Sequence, residues 1–404
     1  MNNICTVKSG RTDSVIKFVR QRKPFHLILG VALMTMLLAA CGTSGNTPST
    51  GTPSTGTPAG GTTPAPGGGK GCTKVGVLLP ETASSARWES KDKPLLTQKI
   101  QAIAGVTVDY YNAQGDEAQQ QNQADAALSK GDCILVVAPH DANQAASIVG
   151  KAKARNVPVI AYDRLIQSKD LNFYVSFDAV AVGELQGQYI VDHYQNYIRS
   201  NNNVALINGS PTDSNALLIR RGAANKLKPL FDSRTLTLVF DQFTPGGNPD
   251  RARTEMEAVL TAKQNNLQIA YVANDDMANS VIAALKARNL NGKILVTGQD
   301  ATIAGLQNIL TGNQAMTVYK SIDKETQATA DLIRALHDGT DPQTVTKGAT
   351  VMTADGAAIP SVLESPVAVD KTNIQTTVIA DNFVTLAEIC NGLPTGTNTN
   401  GLCP

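Results

Sequence analysis

Short, almost wholly apolar runs alternate with stretches of helical periodicity through most of the chain. In one such stretch Leu95, Leu96, Ile100 and Ile103 recur at helical spacing and share a face. Strands that are apolar along their whole length are covered on both faces, as in parallel sheets flanked by helices. The pattern therefore predicts an α/β protein whose strands are the runs Val75–Leu79, Val106–Tyr110, Cys133–Ala138, Val157–Tyr162, Val204–Ile207, Leu236–Phe240, Ile269–Ala273, Ile294–Thr297 and Met316–Val318.

These strands are enough for two doubly wound parallel sheets, with a break near Asp178–Gly183. We expect two α/β lobes joined by a hinge, the chain returning to the first lobe after Asp300. The predicted bounds are 74–178 with 301–366 for the N-terminal lobe, 179–300 with 367–390 for the C-terminal lobe, and 391–404 for a tail. From Lys74 onward roughly 330 residues remain, which suits two domains of ordinary size.

An export signal is predicted ahead of the folded part. Residues 27–41 are apolar, follow a basic segment and end in small residues before a cysteine. The core is shorter than the roughly 20 residues that span a bilayer. Leu38-Ala39-Ala40-Cys41 resembles the lipobox of bacterial lipoproteins, which implies removal of 1–40 and lipidation of Cys41; an uncleaved signal anchor is the alternative.

The segment 41–71 consists almost entirely of Gly, Thr, Ser, Pro and Ala. Such a composition buries too little apolar surface to offset the entropy of ordering, so we expect a disordered tether. A Gly/Ser-type coil of this length spans about 30 Å on average.

Charge gives no sign of a polyanionic partner. Lys plus Arg number 35 and Asp plus Glu 34, so neither nucleic acid nor an anionic membrane surface is favoured. We expect contact with the membrane through the lipid anchor only, and a monomer.

Cysteine usage suits an oxidising compartment. Of the six cysteines, one leaves with the signal and Cys41 is taken by lipid. Cys390 and Cys403 bracket a Gly/Pro/Asn-rich tail, and Cys72 and Cys133 each begin a strand-like run. We expect a disulfide in each pair; four free, buried thiols are the alternative.

Polar clusters follow the predicted strands directly. In open parallel sheets, ligands bind beyond the carboxyl ends of strands, so these clusters should meet at one cleft. Arg, Lys, Asp and Asn together donate to and accept from hydroxyl groups, and a tryptophan ring can cover the C–H face of a sugar. The pattern indicates a neutral polyhydroxylated ligand, although each residue alone could be a salt bridge, a helix cap or core. The clusters are Arg87-Trp88, Asp163-Arg164, Asp213 with Asn215, Asn274-Asp275, Asp300 and Lys320.

Several motifs resemble the D-xylose-binding proteins of ABC importers. The resemblance runs from Lys74 to Phe383, and relatives that bind glucose, galactose or arabinose share much of it. It implies the type I periplasmic-binding-protein fold, with three crossovers between two lobes that close on one monosaccharide. The motifs are 75–80, Ser85-Ala86-Arg87-Trp88, 161–166, 174–178, 182–186, 209–215, Ala273-Asn274-Asp275, 298–301 and 316–320. The sugar contacts it implies are Arg87, Trp88, Asp163, Arg164, Asp213, Asn215, Asn274, Asp300 and Lys320.

Two departures from the family pattern stand out. Many xylose binders have a tryptophan in the loop after the Asp-Gln that follows the predicted strand Leu236–Phe240. Here that Asp-Gln is Asp241-Gln242, and the loop has glycine where the ring is expected. The second face of the sugar is then stacked by Phe243 or left less covered, so a larger sugar could enter. The family's proline after Tyr-Lys is Ser321 here.

The resemblance thus implies a sugar-binding lipoprotein on the outer face of the cytoplasmic membrane, delivering D-xylose to an ABC permease and its ATPase. Glucose, galactose or arabinose as the ligand, or a sugar sensor for a chemoreceptor or kinase, are the alternatives. A secreted glycosidase using Asp275, Asp276 and Asp300 is the enzymatic alternative. No His-Glu-x-x-His or Gly-x-Ser-x-Gly motif occurs, and no cofactor or metal is expected.

Overall fold

The computed structural model describes residues 68–198 and 201–403. The predicted signal segment, Cys41 and the tether as far as Gly67 lie outside the described residues. Within that part of the chain, no helix combines the length and apolarity needed to cross a membrane.

Strands and helices alternate along the chain as the hydrophobic pattern predicts. The strands are β1 (Lys74–Leu79), β2 (Thr107–Asn112), β3 (Ile134–Val137), β4 (Val159–Tyr162), β5 (Phe173–Phe177), β6 (Asn203–Asn208), β7 (Thr237–Phe243), β8 (Ile269–Val272), β9 (Leu295–Val296), β10 (Thr317–Tyr319), β11 (Thr350–Met352), β12 (Ala358–Glu364) and β13 (Val367–Val369). The helices are α1 (Lys93–Gln101), α2 (Glu117–Ser129), α3 (Ala146–Lys153), α4 (Ala179–His193), α5 (Ser214–Asp232), α6 (Pro249–Ala262), α7 (Asp275–Lys286), α8 (Ile303–Leu310), α9 (Ile322–Asp338), α10 (Gln343–Thr346) and α11 (Leu386–Cys390).

The first lobe is built on a seven-stranded sheet in the order β11-β12-β5-β4-β3-β1-β2. All neighbours pair in parallel except β11, which is antiparallel to β12. Val77 of β1 lies opposite Tyr110 of β2 and Val136 of β3. Helices α1 and α9 cover one face and α2 and α3 the other, which explains why β3 and β4 are buried along their whole length.

The second lobe is built on a parallel four-stranded sheet, β7-β6-β8-β9, with the antiparallel pair β10-β13 beside it. Helices α4 and α5 pack on one face of the parallel sheet and α6 and α7 on the other. The chain passes between the lobes at Asp178, at Ser321 and at Ser365–Pro366.

The second passage, at Ser321, lies later in the sequence than the predicted return to the first lobe at residue 301. Residues 301–320 were expected in the first lobe, yet Met316 and Val318 share a core cluster with Val204 and Leu206 of the second lobe. Helix α8 packs against α7 and α11. The chain therefore returns at Ser321 rather than Ala301, because β10 pairs with β13 and closes the second lobe. The remaining bounds stay a prediction.

Helices α4 and α5 cross at unusually close range. A Cβ on Gly183 would overlap the carbonyl oxygen of Ile219, and a Cβ on Gly222 would overlap that of Val180. Only glycine permits this approach. The crossing fixes α5, whose first turns carry Asn215 and Ile219, relative to the crossover that leads out of β5.

Both predicted cysteine pairs are disulfide-bonded. Cys72 and Cys133, whose Cα atoms are 5.5 Å apart, join the starts of β1 and β3. Cys390 joins Cys403, with Cα atoms 5.6 Å apart, and closes the C-terminal tail onto α11.

Candidate binding cleft

The carboxyl ends of the strands of both lobes meet around one cavity of about 60 Å³. A buried water needs roughly 10–15 Å³ by this kind of measure, so the space corresponds to about five waters. That suits one small polyol and excludes an oligosaccharide. All the predicted contact residues lie in its wall: Arg87, Trp88, Asp163, Arg164, Asp213, Asn215, Asn274, Asp300 and Lys320.

Arg87 is held by carboxylates of its own lobe. Its Nε and Nη2 donate to Asp92 at 2.8 and 2.6 Å, and its Nη1 donates to Asp163 Oδ2 at 2.9 Å. Burial alone would lower the pKa of the guanidinium, but Asp92 and Asp163 raise that pKa well above its ordinary value. Burial also raises the pKa of Glu325, which accepts from Nη2 at 3.0 Å. Arg87 is thus a fixed cation in the wall.

Asp163, Asp300 and Lys320 bring charges from both lobes together. Lys320 Nζ lies 3.2 Å from Asp300 Oδ1 and 3.5 Å from Asp163 Oδ2. Burial would raise the pKa of Asp163, but Lys320 and Arg87 hold that pKa well below its ordinary value. Asp163 and Asp300 both have positive φ, 59° and 91°, a strained conformation for residues with side chains. Such strain is typical of residues whose side chains are fixed for binding.

Arg164 is anchored from behind and faces the second lobe in front. Its Nη1 donates to Pro139 O at 3.3 Å and its Nη2 to Glu81 Oε1 at 2.9 Å. Its Nε makes no hydrogen bond, although Asp213 Oδ2 lies 3.2 Å away. The Nε–H of this guanidinium is therefore available to donate a hydrogen bond to a ligand.

Trp88 lies beside both arginines of the wall. The guanidinium carbons of Arg87 and Arg164 lie 4.8 and 5.2 Å from the centroid of its ring. The ring is only 2% exposed, and its indole N–H has no hydrogen-bond partner. Packing in the core, one of the open alternatives for Trp88, is compatible with its position in the cavity wall.

Asp213, Asn215 and Asn274 all have hydrogen-bond partners within the protein. Asp213 and Asn274 cap α5 and α7 by accepting from Asn215 N at 2.8 Å and Met277 N at 3.0 Å. The Asn274 amide also donates to Ser84 O at 3.0 Å across the cleft. The helix-cap alternative is therefore correct for Asp213 and Asn274, whose positions in the wall it fixes.

Contacts between the lobes close the cleft. Ala86 N donates to Asp276 Oδ2 at 3.0 Å, and Leu165 N donates to Ser214 Oγ at 2.9 Å. Asn215 Nδ2 donates to the carbonyl of Asp163 at 2.8 Å. These bonds join loops of the first lobe to the first turns of α5 and α7 in the second lobe, so the described conformation is a closed one.

Several wall residues were not predicted as contacts: Ser84, Ser85, Gly209, Ser210, Ala216, Ile219, Gly247, Ala273 and Gln299. A signal for Ile219 exists, because it follows Asn215 by one helical turn and must share its face. Phe243, suggested as a stacking ring, is not in the wall. The chain turns after Thr244, and Gly247, with φ of 57°, occupies that side instead.

The charges of the wall balance. Three cations, Arg87, Arg164 and Lys320, face three carboxylates, Asp163, Asp213 and Asp300. Because these ions already pair with one another or with Asp92 and Glu81 behind them, a net charge on the ligand would be buried without a free partner. The arrangement therefore suits a neutral molecule rich in hydroxyl groups.

Comparison with known proteins bears on this site. Residues 75–341 match the model of a family described as the periplasmic binding protein domain. The chain is 36% identical to the D-xylose-binding periplasmic protein of Escherichia coli strain K12, over 77% of this chain and 90% of that protein. It is 32% identical to the multiple sugar-binding periplasmic receptor ChvE of Rhizobium radiobacter, over 76% and 90%.

Solved structures agree with this result. An ABC transporter solute-binding protein from Clostridium phytofermentans, solved with bound β-D-glucose, superimposes with a TM-score of 0.71 at 28% identity. The match covers 78% of this chain and all (100%) of that chain. The predicted fold is thereby confirmed.

Proposed function

Since the chain belongs to the periplasmic binding protein family, we propose that it is the extracytoplasmic substrate-binding protein of an ABC importer. Its ligand is one neutral monosaccharide, with D-xylose preferred. The relatives named above are binding proteins and not enzymes, in agreement with the prediction that this chain is not an enzyme.

The observation that carries the proposal is the charge-balanced, closed cavity to which both lobes contribute. Hydrogen bonds from a sugar hydroxyl to a charged partner contribute about 1.5–3 kcal/mol each, against about 1 kcal/mol for neutral pairs. Asp300 Oδ1 and Arg164 Nε are buried and lack hydrogen-bond partners, so an acceptor and a donor stand ready. A neutral polyol satisfies both without adding charge.

The passage of the chain between two lobes supports hinged capture as the mechanism. A sugar binds to the residues of one lobe, and the other lobe closes over it through bonds such as Ala86 to Asp276. The closed form then docks on the permease. We further propose lipidation of Cys41, which would keep the receptor near its importer on a tether of about 30 Å.

Preference for D-xylose rests on the relatives at 36% and 37% identity whose names specify that sugar. The wall at Ala216 and Gly247 offers no large side chain on that side of the cavity. A hexose differs from xylose by an exocyclic hydroxymethyl group, so the hexoses are the relevant competitors.

Isothermal titration calorimetry of the purified protein tests the proposal. The panel is D-xylose, D-glucose, D-galactose, L-arabinose and D-ribose, with D-glucuronate as the charged counterpart of glucose. We expect micromolar or tighter binding, about −8 kcal/mol, for at least one neutral sugar and none for glucuronate. If none of these sugars binds, the proposal is refuted. Hydrolysis of an aryl glycoside would instead favour the glycosidase.

A further inference from the structure

A buried network of hydrogen-bonded side chains lies behind Arg164, outside the cavity wall. Glu81 Oε1 accepts from Arg164 Nη2 at 2.9 Å, and its other oxygen, Oε2, lies 2.6 Å from His140 Nδ1. Ser84, which is in the wall, also donates to Glu81 Oε1. The side chain of Glu81 is 6% exposed and that of His140 is 22% exposed. The ligand-facing guanidinium is thus linked to a histidine that solvent reaches.

The loop of the second lobe that precedes α5 contacts this network at both ends, near His140 and at Arg164. Thr212 Oγ1 donates to His140 O at 3.4 Å, and Thr212 O accepts from Ala142 N at 3.1 Å. The next residue, Asp213, lies 3.2 Å from Arg164 Nε. Closure therefore brings a carboxylate towards the group formed by Arg164, Glu81 and His140.

We infer that Glu81 is a positioning residue for sugar binding, acting through Arg164, and that the proton on His140 favours closure of the cleft. The inference rests on the proposed function and concerns residues that do not line the cavity. Glu81 fixes the guanidinium by holding Nη2, which leaves Nε directed towards Asp213 and the ligand.

Charge explains the part played by the proton. With His140 protonated, Arg164, Glu81 and His140 together carry +1; with His140 neutral they carry zero. The approach of Asp213 on closure is more favourable in the first case, because opposite charges then come together. By linkage, the pKa of His140 is higher in the closed form than in the open form, and sugar binding takes up protons.

Other charged groups face His140 from the elements around it. Glu117 at the start of α2 accepts from the Asp141 amide at 3.2 Å, and Gln120 of the same helix accepts from His140 N at 3.0 Å. Glu117 contributes to a raised pKa of His140, but its largest cause is the hydrogen bond to Glu81. Burial would raise the pKa of Glu81, yet Arg164 and His140 lower it to about 2, so Glu81 keeps its charge throughout the neutral range.

Three variants test the inference by calorimetry with the best-binding sugar of the panel, from pH 6 to pH 9, in buffers of different ionisation enthalpy. His140→Asn retains an N–H donor near the position of Nδ1 but cannot titrate. Glu81→Gln removes the charge that holds Arg164. Glu117→Gln is the matched control, because it removes a carboxylate near His140 that does not contact Arg164. Thermal unfolding verifies that each variant is folded.

For the wild-type protein we expect proton uptake on binding and an affinity about threefold weaker at pH 9 than at pH 6, equivalent to a pKa difference of about half a unit. His140→Asn should bind as the wild type does at high pH, with no pH dependence. Glu81→Gln should bind about tenfold more weakly than wild type at every pH, since the buried Arg164 loses its partner. Glu117→Gln should keep the wild-type pH dependence.

Unchanged pH dependence in His140→Asn would overturn the role of the proton. Affinity of Glu81→Gln within threefold of wild type would overturn the positioning role. If Glu81→Gln does not fold, the comparison of wild type with His140→Asn still decides the role of the proton. Sugar binding by the wild type without pH dependence would refute this inference alone, whereas no binding by any sugar would overturn the proposed function as well.

Discussion

Asp300→Asn isolates one charge in the cavity wall while it preserves the size of the side chain. Asp300 Oδ1 lies 3.2 Å from Lys320 Nζ and 3.9 Å from Arg87 Nη1, and it accepts no hydrogen bond. Its Oδ2 accepts from Ser85 Oγ at 3.3 Å. Because the side chain is buried, a hydroxyl that reaches Oδ1 would exchange bonds with water for a bond to a carboxylate in a site of low dielectric.

The expected loss follows from this environment. A hydrogen bond to a charged partner contributes about 1.5–3 kcal/mol, which corresponds to a dissociation constant raised by about 10- to 150-fold. The fold should tolerate the change, since Lys320 retains Asp163 at 3.5 Å and is not left unpaired. The effect should therefore appear in binding far more than in the free energy of unfolding.

Titration calorimetry with D-xylose, or the best-binding sugar of the panel, measures this loss. Asp192→Asn is the matched control, because Asp192 is an exposed carboxylate of α4 that accepts from Gln188 Nε2 at 2.8 Å and does not line the cavity. The control should bind within about threefold of wild type, since an asparagine oxygen can accept the same bond. If Asp300→Asn also stays within threefold, Asp300 does not contact the sugar.

Three further predictions concern stability. The pKa of Glu81 is lowered from 4.5 to about 2, so its ion pairing stabilises the fold above pH 4.5 and is lost as pH falls towards 2. The difference in unfolding free energy between wild type and Glu81→Gln should therefore shrink from pH 7 to pH 3 in urea titrations; a constant difference would contradict this. Gly183→Ala should lower the unfolding free energy by about 1–3 kcal/mol, because its Cβ meets backbone, whereas Gly150→Ala in α3 has open space. Equal effects in urea titrations would refute the close helix crossing. Replacing both Cys72 and Cys133 by serine should lower stability by about 4 kcal/mol for a loop of 61 residues. A difference that persists when both proteins are unfolded under reducing conditions would point to packing rather than to the disulfide.

Much of the site was predictable from its strand ends. Asp163 follows β4 of the first sheet and Asp300 follows β9 of the second, and parallel strands bring such positions to the carboxyl edge of each sheet. Ile219 was also predictable, because it lies one helical turn after Asn215 and shares its face of the helix. Gly247 was not, because a turn after Thr244 decides which side of the loop faces the cavity. Neither was the linkage of Glu81 to His140, whose residues lie 59 positions apart in sequence.

Residue type alone also left some roles ambiguous. An asparagine before a helix is an N-cap or a ligand contact by the same hydrogen-bonding chemistry, and Asn274 caps α7 while it lies in the cavity wall. The sequence also did not predict that the chain returns to the first lobe at Ser321. Strand β10 has only three residues, and pairing with β13 fixes which lobe it joins.

By itself, the sequence determined the alternation of strands and helices and the positions of the polar clusters, because these depend on local periodicity and residue type. The tertiary structure alone decided which of those groups meet across the cleft, which are already satisfied, and that cations and carboxylates balance in its wall. Charge balance and desolvation depend on distances between residues far apart in the chain, and only the packing of the two lobes sets those distances.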